Sequence, residues 1–176
     1  MQIRKANYDD TSGIAKVHVD SWRTTYEGMM PAEFLQSLSY GKRTDLWKDN
    51  IAVKKDYVVV ALTDEGKIIG FGTASKRATN TVEKSGDLTS IYLLEEYKGQ
   101  GIGKMLLKEL FLHFKKLAIE KVFVEVLEEN RTRYFYEYYG AKLVKSVEIK
   151  ISGAVLKELI YEWDHVDIAL EKLIKN

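Results

Sequence analysis

The chain has 176 residues, enough for one domain with its own apolar core. Hydrophobic residues make up 45% and charged residues 30%, the balance of a globular protein rather than a disordered one. The 27 basic against 26 acidic side chains leave a net charge of +1, which gives no general attraction to nucleic acid or anionic membrane, and the lack of cysteine excludes disulfides, thiolate metal sites and a cysteine nucleophile.

Residues 1–10 are polar and charged, without the apolar centre of a signal peptide. The longest strongly apolar run, residues 57–62, is far short of a membrane span, so the cytoplasm is the expected location. With one proline, no linker-like segment and no repeat, residues 1–176 read as a single domain. Residues 2–5 suit a first strand. Asp9 or Asp10 can cap a helix carrying Ile14, Val17, His18, Ser21 and Trp22 on one face. Pro31 suits the first turn of a short helix with Phe34, Leu35 and Leu38, and a third helical stretch holds Leu46 and Trp47.

Strands then take over. Residues 57–63 are rich in Val and Tyr, Asp64-Glu65-Gly66 is a turn signal, and residues 67–76 return as the hairpin partner. A strand over 87–94 runs into a glycine-rich turn over 98–104. Leu106, Leu107, Leu110, Phe111, Phe114 and Leu117 then recur at helical spacing. Residues 122–127 form a strand and 131–139 a short helix, with Gly140 as its C-terminal cap. Residues 142–151 and 155–163 close the sheet, and Val166, Ala169, Leu170, Leu173 and Ile174 make an amphipathic helical extension over 164–176. The alternation of strands and helices predicts an α/β (α+β) fold.

The turn Lys98-Gly99-Gln100-Gly101-Ile102-Gly103-Lys104 carries the main chemical signal because a strand precedes it and a helix follows. Amides at a helix start are unpaired and the helix dipole favours an anion there. Glycines remove side chains that would hold a phosphate away, and Lys98 and Lys104 add charge. A phosphate cradle and a tight packing turn both fit this spacing. A P-loop does not: only three residues separate Gly99 from Gly103, and Met105 follows Lys104. A dinucleotide fingerprint fails because Lys104 stands where its third glycine belongs.

With its flanks, this segment resembles the central motif of the GNAT superfamily of acyl-CoA N-acyltransferases. The match spans residues 88–107: an Ile91-Tyr92-Leu93 strand, Tyr97-Lys98-Gly99-Gln100-Gly101-Ile102-Gly103, then the leucine-rich helix. Lys98 stands where the family usually has Arg or Gln, and Glu95 where proline is frequent. A second motif follows in Val124-Glu125-Val126, Asn130, Phe135-Tyr136-Glu137 and Gly140, one residue short between Asn130 and Phe135-Tyr136-Glu137. The resemblance implies a mixed, mostly antiparallel central sheet flanked by helices, here with an extra C-terminal helix. It also implies acetyl-CoA as cosubstrate, its pyrophosphate on the loop amides and its pantetheine along the edge of the 87–94 strand, opened by a splay of the 122–127 strand. Asn130 then lies with Leu93, Lys98, Gly99, Gln100, Gly101, Ile102, Gly103 and Lys104 in the cofactor site.

The chemistry expected is aminolysis of a thioester. The Leu93 N–H could polarise the carbonyl, and Tyr136 matches the family's general acid for the leaving thiolate. Asp87, Glu125, His18 and Glu27 are open candidates for the base. Trp22 and Tyr26 share a helical face and could line an acceptor pocket or simply pack. The expected acceptor is a small-molecule or peptide amine, with no nucleic acid and no membrane partner; exposed strand edges or the last helix could support a homodimer. His18, His113 and His165 have no metal-ligand spacing, so no metal is expected, and no G-x-S-x-G elbow is present. Direct transfer in a ternary complex is the simplest mechanism; the alternative is a non-catalytic acyl-CoA sensor.

Overall fold

In a computed structural model, which describes residues 1–175, seven strands form one sheet in the order β1-β2-β3-β4-β5-β7-β6. They are β1 (Gln2–Lys5), β2 (Tyr57–Leu62), β3 (Ile68–Ser75), β4 (Ser85–Leu93), β5 (Lys121–Leu127), β6 (Lys142–Ile151) and β7 (Ala154–Trp163). The helices are α1 (Thr11–Thr25), α2 (Ala32–Ser37), α3 (Tyr40–Ala52), α4 (Ile102–Lys116), α5 (Thr132–Tyr138) and α6 (Val166–Lys175). Every neighbouring pair is antiparallel except β4–β5. This is the mixed, mostly antiparallel sheet expected.

The run Tyr57–Leu62 is apolar throughout because β2 is covered on both faces. Val58, Val60 and Leu62 pack with Ile14, Val17, Trp47 and Phe71 under α1 and α3. Val59 and Ala61 face the other way, into a larger cluster built on α4. The stripe Ile102, Leu106, Leu107, Leu110, Phe111 and Phe114 is fully buried there, each side chain stabilising the fold by about 2 kcal/mol. The C-terminal extension belongs to this core: Val166, Ala169, Leu170 and Leu173 of α6 are buried in it, and Val166 N–H donates to Glu120 O at 2.9 Å.

One local expectation needs correcting. Neither Asp9 nor Asp10 caps α1 through its side chain. Instead Asn7 caps a single 3-10 turn over Tyr8–Asp10, and Asp10 is held by Arg4 through contacts of 2.7 and 2.8 Å. Burial alone would raise the Asp10 carboxyl, but the bonds from Arg4 and the Asn7 N–H hold it below its usual range. A second 3-10 turn, Glu95–Tyr97, joins β4 to the glycine turn.

The irregularities that matter lie in β4. The register Ala74↔Leu88 and Thr73↔Ser90 leaves Thr89 as an extra residue, a bulge that swaps which side chains face α4. Leu88 before it and Ile91 and Leu93 after it pack towards α4, whereas Tyr92 faces α1. On the other side, β4 pairs with β5 only from Ser85↔Lys121 to Leu88↔Val124. Past Val124 β5 keeps only its pairing with β7, which runs from Val122↔Trp163 to Leu127↔Glu158. The two central strands part.

Candidate active site

The parting leaves backbone groups without partners. Leu94 N–H donates to Ile69 O on β3 at 3.0 Å, so by alternation Tyr92 also turns to β3. Ile91 and Leu93 therefore present their N–H and C=O groups to the side that β5 has left. A cavity of about 400 Å³ fills this gap. It is lined by residues 88–93 of β4, by Lys98, Gly99, Gly101, Gly103 and Lys104 of the turn, by Val124, Glu125 and Val126 of β5, and by Asn130, Phe135 and Tyr136. Tyr26 reaches it from the end of α1.

The glycine turn forms one end. Gly99 and Gly101 adopt φ of +74° and +80°, which other residues reach only with strain, and a Cβ added at either would meet no atom within 4 Å. No packing demand within the protein thus explains these two glycines. Gly101 is the N-cap of α4 and offers no side-chain cap, so the first amides of a 15-residue helix are left for another partner. Lys98 Nζ pairs with Glu95 at 2.6 Å, while Lys104 pairs with no carboxylate among the described residues. Two turn residues point elsewhere. Gln100 returns its amide to Glu96 O at 3.0 Å, and Ile102 is buried in the core. For them only the backbone can serve a ligand.

At the other end, Tyr136 on α5 is almost fully buried, and burial together with the nearby Tyr26 raises its phenol well above the ordinary value. It stays protonated at neutral pH and keeps a proton to donate. Tyr26 Oη lies 3.1 Å from Tyr92 Oη, and burial raises both phenols. Asn130 accepts the Thr132 N–H at 2.9 Å through Oδ1, which starts α5 beside the cavity. Gly140 ends α5, with Ala141 N–H reaching Tyr136 O at 3.0 Å. Trp22 packs edge-on to Tyr26 at 5.0 Å between ring centroids but lies outside the cavity lining, and its indole N–H has no hydrogen-bond partner among the described residues.

The four candidates for a base separate cleanly. Asp87 is buried and receives the Arg77 N–H (2.9 Å), the Arg77 guanidinium (3.1 Å) and Asn80 Nδ2 (2.9 Å), which commits it to the β3–β4 connection. His18 is buried and accepts the Trp47 indole N–H at Nδ1 (3.2 Å); burial and Arg43 push its imidazole down to about 3, so it is neutral and inward-facing. Glu27 is exposed and outside the cavity. Glu125 is the one carboxylate on the lining, 3.3 Å from Arg77 Nη2.

Three residues escaped the sequence. Arg77 bridges Asp87 and Glu125 from a loop with no motif, and Tyr92 was hidden inside the strand pattern. Glu158 on β7, opposite Leu127, is half-buried; burial and the charge of Glu125 raise its carboxyl. Only pairing register brings it beside Glu125.

The model of the Acetyltransferase (GNAT) family matches residues 19–141. An uncharacterised N-acetyltransferase of Bacillus subtilis, YuaI, is 36% identical over 174 residues, covering 99% of this chain and 98% of that protein. A spermidine N(1)-acetyltransferase of Thermoplasma acidophilum is 25% identical over 152 residues, 84% of this chain and 91% of its own length. Among solved structures, the PaiA N-acetyltransferase of Thermoplasma acidophilum in complex with coenzyme A superposes with a TM-score of 0.72 at 24% identity, covering 89% of this chain and 96% of that one. Among the described residues no helix is long and apolar enough to cross a membrane, and no cluster of side chains suits a metal ion.

Proposed function

The chain belongs to the acetyltransferase (GNAT) family, and from that membership we propose that it transfers acetyl from acetyl-CoA directly to a primary amine, of a small molecule or a peptide, within one ternary complex. That it is an acetyl-CoA-dependent acetyltransferase agrees with relatives named as N-acetyltransferases and does not favour a non-catalytic sensor. One observation carries the proposal: a single cavity joins the glycine turn, the unpaired edge of β4 and the buried Tyr136.

The turn fits a pyrophosphate, because Gly99 and Gly101 leave open space where side chains would stand and the α4 amides are unpaired. Lys98 and Lys104 add charge at its rim. The free N–H and C=O of Ile91 and the C=O of Leu93 would pair with the amides of the pantetheine arm, as an added strand would. Asn130 borders the same channel. When bound, acetyl-CoA supplies an acetyl group already activated as a thioester.

The protein must then manage two protons and one developing charge. A primary amine with a pKa of about 10.4 arrives protonated, and Glu125 draws it in and takes its proton, directly or through a water. The Leu93 N–H, fixed by the sheet, polarises the carbonyl without needing to reorient. As the C–N bond forms and the C–S bond breaks, Tyr136 gives its Oη proton to the departing sulfur, and the second proton shed by the acceptor nitrogen restores the phenol; burial keeps Tyr136 protonated until then. Tyr26, braced by Tyr92, forms the acceptor wall, with Trp22 supporting it from behind. The amine of spermidine, acted on by one relative, is an acceptor of this class.

The test is thiol release from acetyl-CoA across a panel of small amines and amino-terminal peptides. Amine-dependent release obeying sequential kinetics is expected. Binding of coenzyme A without release for any amine would overturn the catalytic assignment.

A further inference from the structure

A second hollow, of about 350 Å³, opens away from the cleft where β1, the α3–β2 turn, the end of β3 and the C-terminal end of α4 meet. Four lysines line it: Lys5 ending β1, Lys54 and Lys55 in the turn after α3, and Lys76 directly after β3. Among the described residues none of the four pairs with a carboxylate. The one acid on its wall, Asp56, already accepts Asn50 Nδ2 at 2.7 Å.

Part of this gathering has a structural cause. α3 and α4 both end here, and helix C-termini favour cations, which accounts for Lys54 and Lys55. It does not account for Lys5 and Lys76, which extend from strands. Lys76 Nζ donates to Val82 O at 2.6 Å and keeps two further donors. Lys5 Nζ stands over the Tyr57 ring at 5.6 Å, and the His113 ring stacks on Tyr57 at 3.7 Å between centroids. The aromatic surface is therefore taken, and what the hollow offers a ligand is ammonium groups. Gathered like charges repel unless something negative enters.

We propose that this hollow is a second ligand site, separate from the acetyl-CoA cleft, and that it binds a small, multiply charged anion such as a phosphate ester or a polycarboxylate through Lys5, Lys54, Lys55 and Lys76. Its volume suits a small metabolite. The run of α4 from Ile102 to His113 places it about 16 Å from the glycine turn, so the two sites do not overlap. His113 on its wall is a built-in reporter. Burial, Lys5 from β1 and Lys116 from its own helix hold the imidazole below its ordinary value; Tyr57, beside Glu109, faces it from β2. An anion among these groups offsets the repulsion from the lysines, so His113 should take its proton at higher pH.

The test follows the His113 imidazole resonances of the full chain by NMR while inorganic pyrophosphate, and separately citrate, is added at fixed ionic strength. Saturable shifts are expected, half-complete below about 1 mM, with the His113 titration midpoint moved upwards. K5Q/K76Q should weaken the response by about tenfold or more while leaving basal acetyl transfer unchanged. K54Q/K55Q carries the same expectation through another pair of lysines. A linear, unsaturated drift with both anions would overturn the site, as would saturation that neither double variant weakens.

Discussion

β4 and β5 run side by side, yet their two ends do opposite things. From Ser85 to Leu88 the strands are paired, the side chains are buried, and Asp87 ties the β3–β4 connection down through Arg77 and Asn80. From Thr89 onwards a bulge turns β4, β5 leaves with β7, and the gap becomes a cavity. The paired end uses its backbone hydrogen bonds in the fold; the open end leaves the backbone groups of Ile91 and Leu93 free along the cavity. The site is thus a place where secondary structure stops in a controlled way, and control comes from the closed end.

Breaking the closed end should have the largest effect. Asp87→Ala leaves the Arg77 guanidinium and Asn80 amide without their buried acceptor, so denaturant unfolding should show a loss of about 3 kcal/mol. Asp87→Asn should recover part of it. A change below about 0.5 kcal/mol in the alanine variant would mean that the clamp does not hold the strands.

At the open end, Tyr136→Phe removes one proton and little volume. Turnover should fall about a hundredfold while the dissociation constant for acetyl-CoA stays within about twofold. Equal turnover in the two proteins would take Tyr136 out of the chemistry.

The most gradual effect concerns the wall behind Tyr92, on which His18 stacks at 5.8 Å between centroids. The folded state holds His18 neutral down to about pH 3, whereas the unfolded chain protonates it near 6.5. Stability should therefore fall as pH drops below 6.5, with a slope approaching about 1.4 kcal/mol per unit from this group. His18→Gln should flatten that slope by about one proton; an unchanged slope would place the sensitivity elsewhere.

The two ends also differed in how far the sequence disclosed them. The glycine turn was legible because left-handed backbone is a demand that few residues satisfy, and Gly99 and Gly101 meet it. The strand and helix order was legible from periodicity, as in the doubly buried run of β2. The closed end was not. Arg77 and Asp87 are ten positions apart across a loop, and nothing local marks them as partners. Asp10 read as a helix cap because its competitor, Arg4, lies on a strand. Trp22 and Tyr26 share a helical face, yet Trp22 packs among His18, Phe34 and Tyr92 while Tyr26 lines the cavity, a division made by tertiary packing. Glu158 needed the β5–β7 register. Side chains that act through pairing between distant elements leave no spacing to read.

The most direct test of the account is the thermal unfolding midpoint with and without acetyl-CoA, using desulfo-CoA and NAD as controls. Acetyl-CoA at about a hundred times its dissociation constant should add roughly 2.7 kcal/mol of stability, desulfo-CoA should act alike, and NAD should have no effect. A midpoint unmoved by either CoA compound, in folded protein, would contradict the assignment of the open end of β4 and β5 as the acetyl-CoA site.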